Sequence, residues 1–298
     1  MKGTILFLSI ALLFGCSKKE DTQPLQSEKP LVFVSIPPLA GLVKNISKDA
    51  FEVRTLVGEG QSPHSYEPTA KQLTTLSQAD ILFTIGVPFE QPLLKKIKPL
   101  YPALPIIETD ARVKKRSMPH AHHGEHCTHD HGAKDPHVWL DPLQLEKIAE
   151  DLCHGLMELD PENAQLFHQN FETLTTGQLS KLDTKLMRHK GTRFYVFHPS
   201  FGYFADAYGL EQIAIELDGK SPSPRQLANL IEQAKTDGVK VIFVQKQFPE
   251  GSAKAVADAI GGKVVQLDPL AEDVIANLKQ IAEAIVQTLE QEINHEIH

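Results

Sequence analysis

From residue 31 onward, short apolar runs alternate with longer stretches in which apolar residues recur every three or four positions. LVFVSI at 31–36, FEVRTLV at 51–57, ILFTIG at 81–86 and PIIE at 105–108 predict four strands. Between them, Leu39, Leu42, Val43 and Ile46 follow two prolines at helical spacing, a second helix opens at Thr69, and Leu93, Leu94 and Ile97 mark a third. Residues 141–159 form one more helix, stopped at Asp160-Pro161. Past Gly191 the alternation restarts, with strands RFYVF, QIAIEL, VKVIFV and KVVQL separated by helices. Among these helices, Ser223 is a natural N-cap with Pro224 in the first turn, and residues 273–290 form the last.

Strands alternating with helices predict parallel sheets. The two series are separated by residues 161–190, where Phe167, Phe171, Leu174, Leu182 and Leu186 keep helical spacing and Gly177 is the one internal glycine before residue 190. That pattern predicts one long helix of about 45 Å at ~1.5 Å per residue, or two shorter helices broken at Gly177. The expected fold is α/β: two similar lobes, each a parallel sheet flanked by helices, residues 31–160 and 191–298, joined by a long rigid linking helix.

A chain of 298 residues with 41% apolar content can bury two such cores. Its net charge of -8 argues against a nucleic-acid surface, which needs a basic face. At the N-terminus, Lys2, an apolar run from 5 to 14 and Gly15-Cys16 read as a secretory signal too short to span a bilayer. LFGC resembles a lipobox, so residues 1–15 are expected to be removed, Cys16 lipidated, and 16–30 to tether the protein to the membrane outside the cytoplasm. A plain cleaved signal is the alternative. Of the other cysteines, Cys153 reads as a small buried apolar residue on a helix, and Cys127 lies among histidines.

Those histidines are the most conspicuous chemistry. His120, His122, His123, His126, His129 and His131 fall within twelve residues of a loop spanning 118–134. Neutral imidazole suits zinc, copper and nickel, so a flexible loop of this composition is an auxiliary metal collector. Three isolated histidines have a different setting. His64 and His198 follow predicted strands and His137 precedes a helix, where open parallel sheets bind ligands. Each has a proline beside it, Pro63, Pro136 and Pro199, which stiffens the local backbone. Asp268 follows the last strand in the same way.

SPHSYEPT, DPHVWLDP, FHPSFGYFADAYGL, ELDGKSPSP and VVQLDPL together resemble the successive signatures of the zinc-binding, ZnuA-like lipoproteins of bacterial ABC importers. The resemblance covers nearly the whole chain from residue 31. It implies a bilobed fold of the TroA/ZnuA kind and a metal held between the lobes for delivery to a membrane permease. By motif it implies His64, His137 and His198 as ligands, with Asp268 or a water in the fourth position. Manganese-importing relatives carry a carboxylate where His198 stands, so three imidazoles favour Zn2+ over Mn2+. Glu67, three residues after His64, is expected either to orient an imidazole or to be a surface carboxylate. A monomer is expected. The competing classes are an envelope zinc hydrolase, disfavoured by the lack of an HExxH helix, and a zinc buffer or adhesin with no permease.

Overall fold

The computed structural model describes residues 29–118, 134–177, 184–216, 222–248 and 250–296. Its first sheet contains β1 (Leu31–Val34), β2 (Glu52–Thr55), β3 (Ile81–Thr84) and β4 (Ile106–Glu108) in the order β2-β1-β3-β4. The second contains β5 (Arg193–Val196), β6 (Glu211–Ala214), β7 (Val241–Gln245) and β8 (Lys263–Leu267) in the order β6-β5-β7-β8. All pairings are parallel, with Val32 opposite both Val53 and Ile81, and Val196 opposite both Ala214 and Phe243. The second lobe thus repeats the winding of the first.

Composition explains which strands are central. β3 and β7 are buried along their whole length, as apolar runs covered on both faces must be, whereas in β2 every other residue is exposed, as at a sheet edge. The helices are α1 (Pro37–Ser47), α2 (Ala70–Leu76), α3 (Glu90–Leu100), α4 (Pro142–Leu159), α5 (Ala164–Gly177), α6 (Gly202–Tyr208), α7 (Pro224–Thr236), α8 (Gly251–Ala259) and α9 (Val274–Glu296). Thr69 with Gln72, and Ser223 with Gln226, close capping boxes at the starts of α2 and α7, and Asp141 caps α4 ahead of Pro142.

The joint between the lobes differs from the expected linking helix. Pro161–Asn163 is a 3-10 turn, α5 ends at Gly177, and Thr184–His189 is again 3-10, so residues 161–190 are not one continuous α-helix. What unites the lobes is a shared core. One cluster of buried apolar side chains runs from Val32 through Trp139 and Phe204 to Leu289. α5 packs on α1 and α4, and α9 returns from the second lobe to touch α1. At that contact a Cβ on Gly41 would lie 1.9 Å from the Glu272 carbonyl oxygen, so only glycine allows the approach. Beside it Lys44 pairs with Glu272 at 2.6 Å.

Two buried bonds lock the lobes near the cleft. Trp139 Nε1 donates to the Pro269 carbonyl at 2.7 Å, and the Tyr203 hydroxyl donates to the Asp135 carbonyl at 2.9 Å. The flanks of the histidine-rich segment meet in an antiparallel bridge between Ser117 and Lys134. Cys153 is buried on α4, as its apolar neighbours predict. No helix among the described residues is long and apolar enough to cross a membrane.

Candidate metal centre

Three loops deliver one histidine each to the carboxyl ends of the strands. His64 comes from the loop after β2, its backbone N–H donating to Ser62 Oγ at 3.3 Å. His137 stands at the start of the 3-10 turn Val138–Leu140, where Asp135 Oδ1 accepts from its backbone N–H at 3.0 Å and meets its ring Nδ1 at 2.7 Å. His198 follows β5 by two residues and is clamped by Gln245. The Gln245 side chain accepts from the His198 N–H at 3.1 Å and donates to its carbonyl at 2.6 Å. Its ring Nδ1 lies 2.7 Å from Glu216 Oε1, and its face stacks on Phe248 with centroids 4.5 Å apart.

The rings converge through their Nε2 atoms. These are separated by 3.3 Å between His64 and His137, 3.1 Å between His64 and His198, and 3.3 Å between His137 and His198. The carboxylates on Nδ1 of His137 and His198 fix the tautomer, placing a hydrogen on Nδ1 and leaving a lone pair on Nε2. Lone pairs brought this close repel unless a cation sits among them. A tetrahedral zinc with bonds of ~2.0–2.1 Å spaces its nitrogens about 3.3 Å apart, which is the spacing found.

The electrostatics keep the donors ready. Burial, reinforced by the two neighbouring imidazoles, lowers His64 from 6.5 to about 3. Burial also lowers His198, against the opposing pull of Glu216. Both rings are therefore neutral at neutral pH, the form that binds metal. Burial by itself would raise Asp135, but its bonds to His137 and the charge of Arg116, 3.2 Å away, hold it below the usual range. It stays a carboxylate while fully buried.

Two other expected positions fall elsewhere. Asp268 is not one of the residues whose ligand atoms cluster within 4.8 Å. Its Oδ1 accepts from the Leu270 N–H and from Gln247 Nε2, both at 3.0 Å, and its Oδ2 pairs with Lys246 at 3.3 Å. A strand end brings the residue near the cleft, but the following turn captures its carboxylate. Glu67 is exposed, and the carboxylates that orient imidazoles are Asp135 and Glu216. The sequence carried a signal for Asp135, two residues before His137 within DPH; Glu216, 18 residues from His198, carried none beyond its place in ELDGKSPSP. His120, His122, His123, His126, Cys127, His129, His131 and Cys16 lie outside the described residues.

Two parallel-sheet lobes around a three-imidazole cluster define a metal-binding solute-binding protein. The profile of the ZnuA family, zinc-uptake complex component A, periplasmic, matches residues 32–291, and the chain belongs to that family. The fold superposes on the crystal structure of a ZnuA deletion mutant with zinc bound, with a TM-score of 0.78 and 35% identity, covering 88% of this chain and 98% of that one. Zinc-binding protein AdcA of Streptococcus pyogenes serotype M3 is 28% identical over 291 residues, which are 91% of this chain but only 56% of AdcA. The manganese ABC transporter substrate-binding lipoprotein PsaA of Streptococcus pneumoniae is 28% identical over 274 residues, covering 86% of this chain and 85% of PsaA. Members of the family bind a substrate for transport and are not enzymes, which removes the hydrolase reading.

Proposed function

We propose that this chain captures Zn2+ outside the cytoplasmic membrane and hands it to the permease of an ABC importer, with His64, His137 and His198 as the ligands. The observation that carries the reading is the triangle of Nε2 atoms, 3.1–3.3 Å on a side. Three neutral nitrogen donors favour a borderline ion over manganese, which prefers carboxylate and water oxygen. The zinc-bound ZnuA relative supports the same cargo. The bonds that lock the lobes at Trp139 and Tyr203 favour release by a small tilt rather than a wide hinge. The histidines from 120 to 131 would gather metal at low supply, and a lipid on Cys16 would hold the monomer at the envelope beside the permease.

Metal analysis of the purified protein tests the cargo. One tightly held zinc, retained against equimolar manganese, is expected; manganese retained instead would overturn the zinc assignment. Uptake by cells lacking the gene at limiting zinc tests delivery, since a buffer that never meets a permease leaves the uptake rate unchanged.

A further inference from the structure

Three imidazoles leave a zinc-like cation one coordination position short of four, and a water fills such a position when no fourth side chain reaches it. A water polarised by the cation is a strong donor and needs an acceptor. The cavity at the histidine cluster offers few, because Val87, Trp139, Phe248 and Leu270 form much of its wall. The Trp139 N–H is directed to Pro269, and Ser62 Oγ accepts from the His64 backbone. Gln247 also lines this cavity, and its Oε1 is buried with no hydrogen-bond partner among the described residues. The other end of the same amide is fixed: Nε2 donates to Asp268 Oδ1 at 3.0 Å, while Asp268 is itself held by the Leu270 N–H and Lys246. Fixing the NH2 group on a carboxylate determines where the amide oxygen faces.

We infer that Gln247 Oε1 accepts the hydrogen bond of a water on the open coordination position of the bound cation, and that Asp268 is a positioning residue that orients the amide. The inference rests on the metal-capture reading above. It gives Asp268 a part in binding without a bond to the metal. It also leaves the carboxylates of Asp135 and Glu216 behind imidazoles, on the nitrogens that face away from the cation.

The test uses the full chain, zinc competition against a chelating dye, and the visible absorption of the Co2+-loaded protein followed with pH. Gln247→Leu should weaken zinc about tenfold, as loss of an outer partner does. Asp268→Ala should weaken it by a similar factor, and the Gln247→Leu/Asp268→Ala double variant by no more than either alone, because both remove one interaction. Asp268→Asn keeps an acceptor for the amide and should stay within about twofold of wild type. In Gln247→Glu the pH at which the Co2+ bands change as the bound water ionises should rise, since a carboxylate opposes formation of hydroxide. Glutamate cannot donate to Asp268 as the amide does, so it is combined with Asp268→Asn, whose amide donates in return and holds the carboxylate toward the water even if Gln247→Leu folds poorly. Loss beyond ~100-fold in Asp268→Asn would make Asp268 a direct ligand and overturn the inference. Multiplicative losses in Gln247→Leu/Asp268→Ala, or Co2+ bands unmoved in Gln247→Glu/Asp268→Asn, would also overturn it. A wild-type chain that binds no zinc tightly sinks the functional reading and this inference with it; tight wild-type binding with unaffected variants sinks this inference alone.

Discussion

Glu216 Oε1 lies 2.7 Å from Nδ1 of His198, with 4% and 7% of the two side chains exposed. A buried carboxylate on the far nitrogen both orients the ring and raises the basicity of Nε2. Glu216→Ala should therefore lower zinc affinity about 10–100-fold. Glu216→Gln should lose less, because an amide oxygen still accepts from Nδ1. Competition titrations check both, and an alanine variant with wild-type affinity would show that packing on Phe248 alone holds the ring.

Trp139 is the only tryptophan of the chain, is buried, and has its ring centroid 5.4 Å from that of His137. Its emission should change on zinc addition and saturate at one equivalent for the tight site. Trp139→Phe loses the bond to Pro269 as well as the probe, and should destabilise the protein by about 1 kcal/mol or more, measured by urea unfolding.

The metal-free protein should become less stable in acid through His64. Its folded value of about 3 lies below the unfolded 6.5, so the unfolded chain takes up the proton first, and this contribution is lost as pH falls from about 6.5 toward 3. Glu90 acts in the opposite sense. Burial raises it from 4.5 to about 7, so its contribution is full below 4.5 and is lost as pH rises through 7. Comparing wild type with His64→Gln at each pH separates the two. The gap in melting temperature between the proteins should shrink or change sign from pH 7 to pH 5, and a constant gap would contradict the lowered histidine. Zinc should also be retained below the pH at which free imidazole releases it.

Removing residues 118–132 should leave about one tight zinc per molecule and abolish weaker binding. The segment's flanks already meet at Ser117 and Lys134, so a short splice can join them without moving Asp135 or His137. Metal counting by equilibrium dialysis decides; disappearance of the tight zinc would place the primary ligands within the removed segment.

The sheets were legible in the sequence because the central strands are almost wholly apolar, as in FVSI after Val32 and VIFV at β7. The three histidines were legible because a proline stands next to each of them. The segment joining the lobes departs from the long-helix expectation at its ends, Pro161–Asn163 and Thr184–His189, because apolar spacing alone does not separate α-helical from 3-10 backbone. For Asp268 the sequence left a choice between ligand and bystander, because chain position predicts which end of the sheet a residue occupies, not which neighbour takes its carboxylate. Glu216 escaped notice because its pairing with His198 arises only when β5 and β6 lie side by side.

The shared core also bears on how the chain reaches its native state. Lys44 meets Glu272 across 228 residues of sequence, and Trp139 meets Pro269 across 130. α9, which closes over α1, follows the whole second sheet in sequence. The interior of the first lobe is therefore completed by segments of the second. Contacts this distant in sequence raise the contact order and slow folding, so the two lobes should fold as one unit rather than the first ahead of the second.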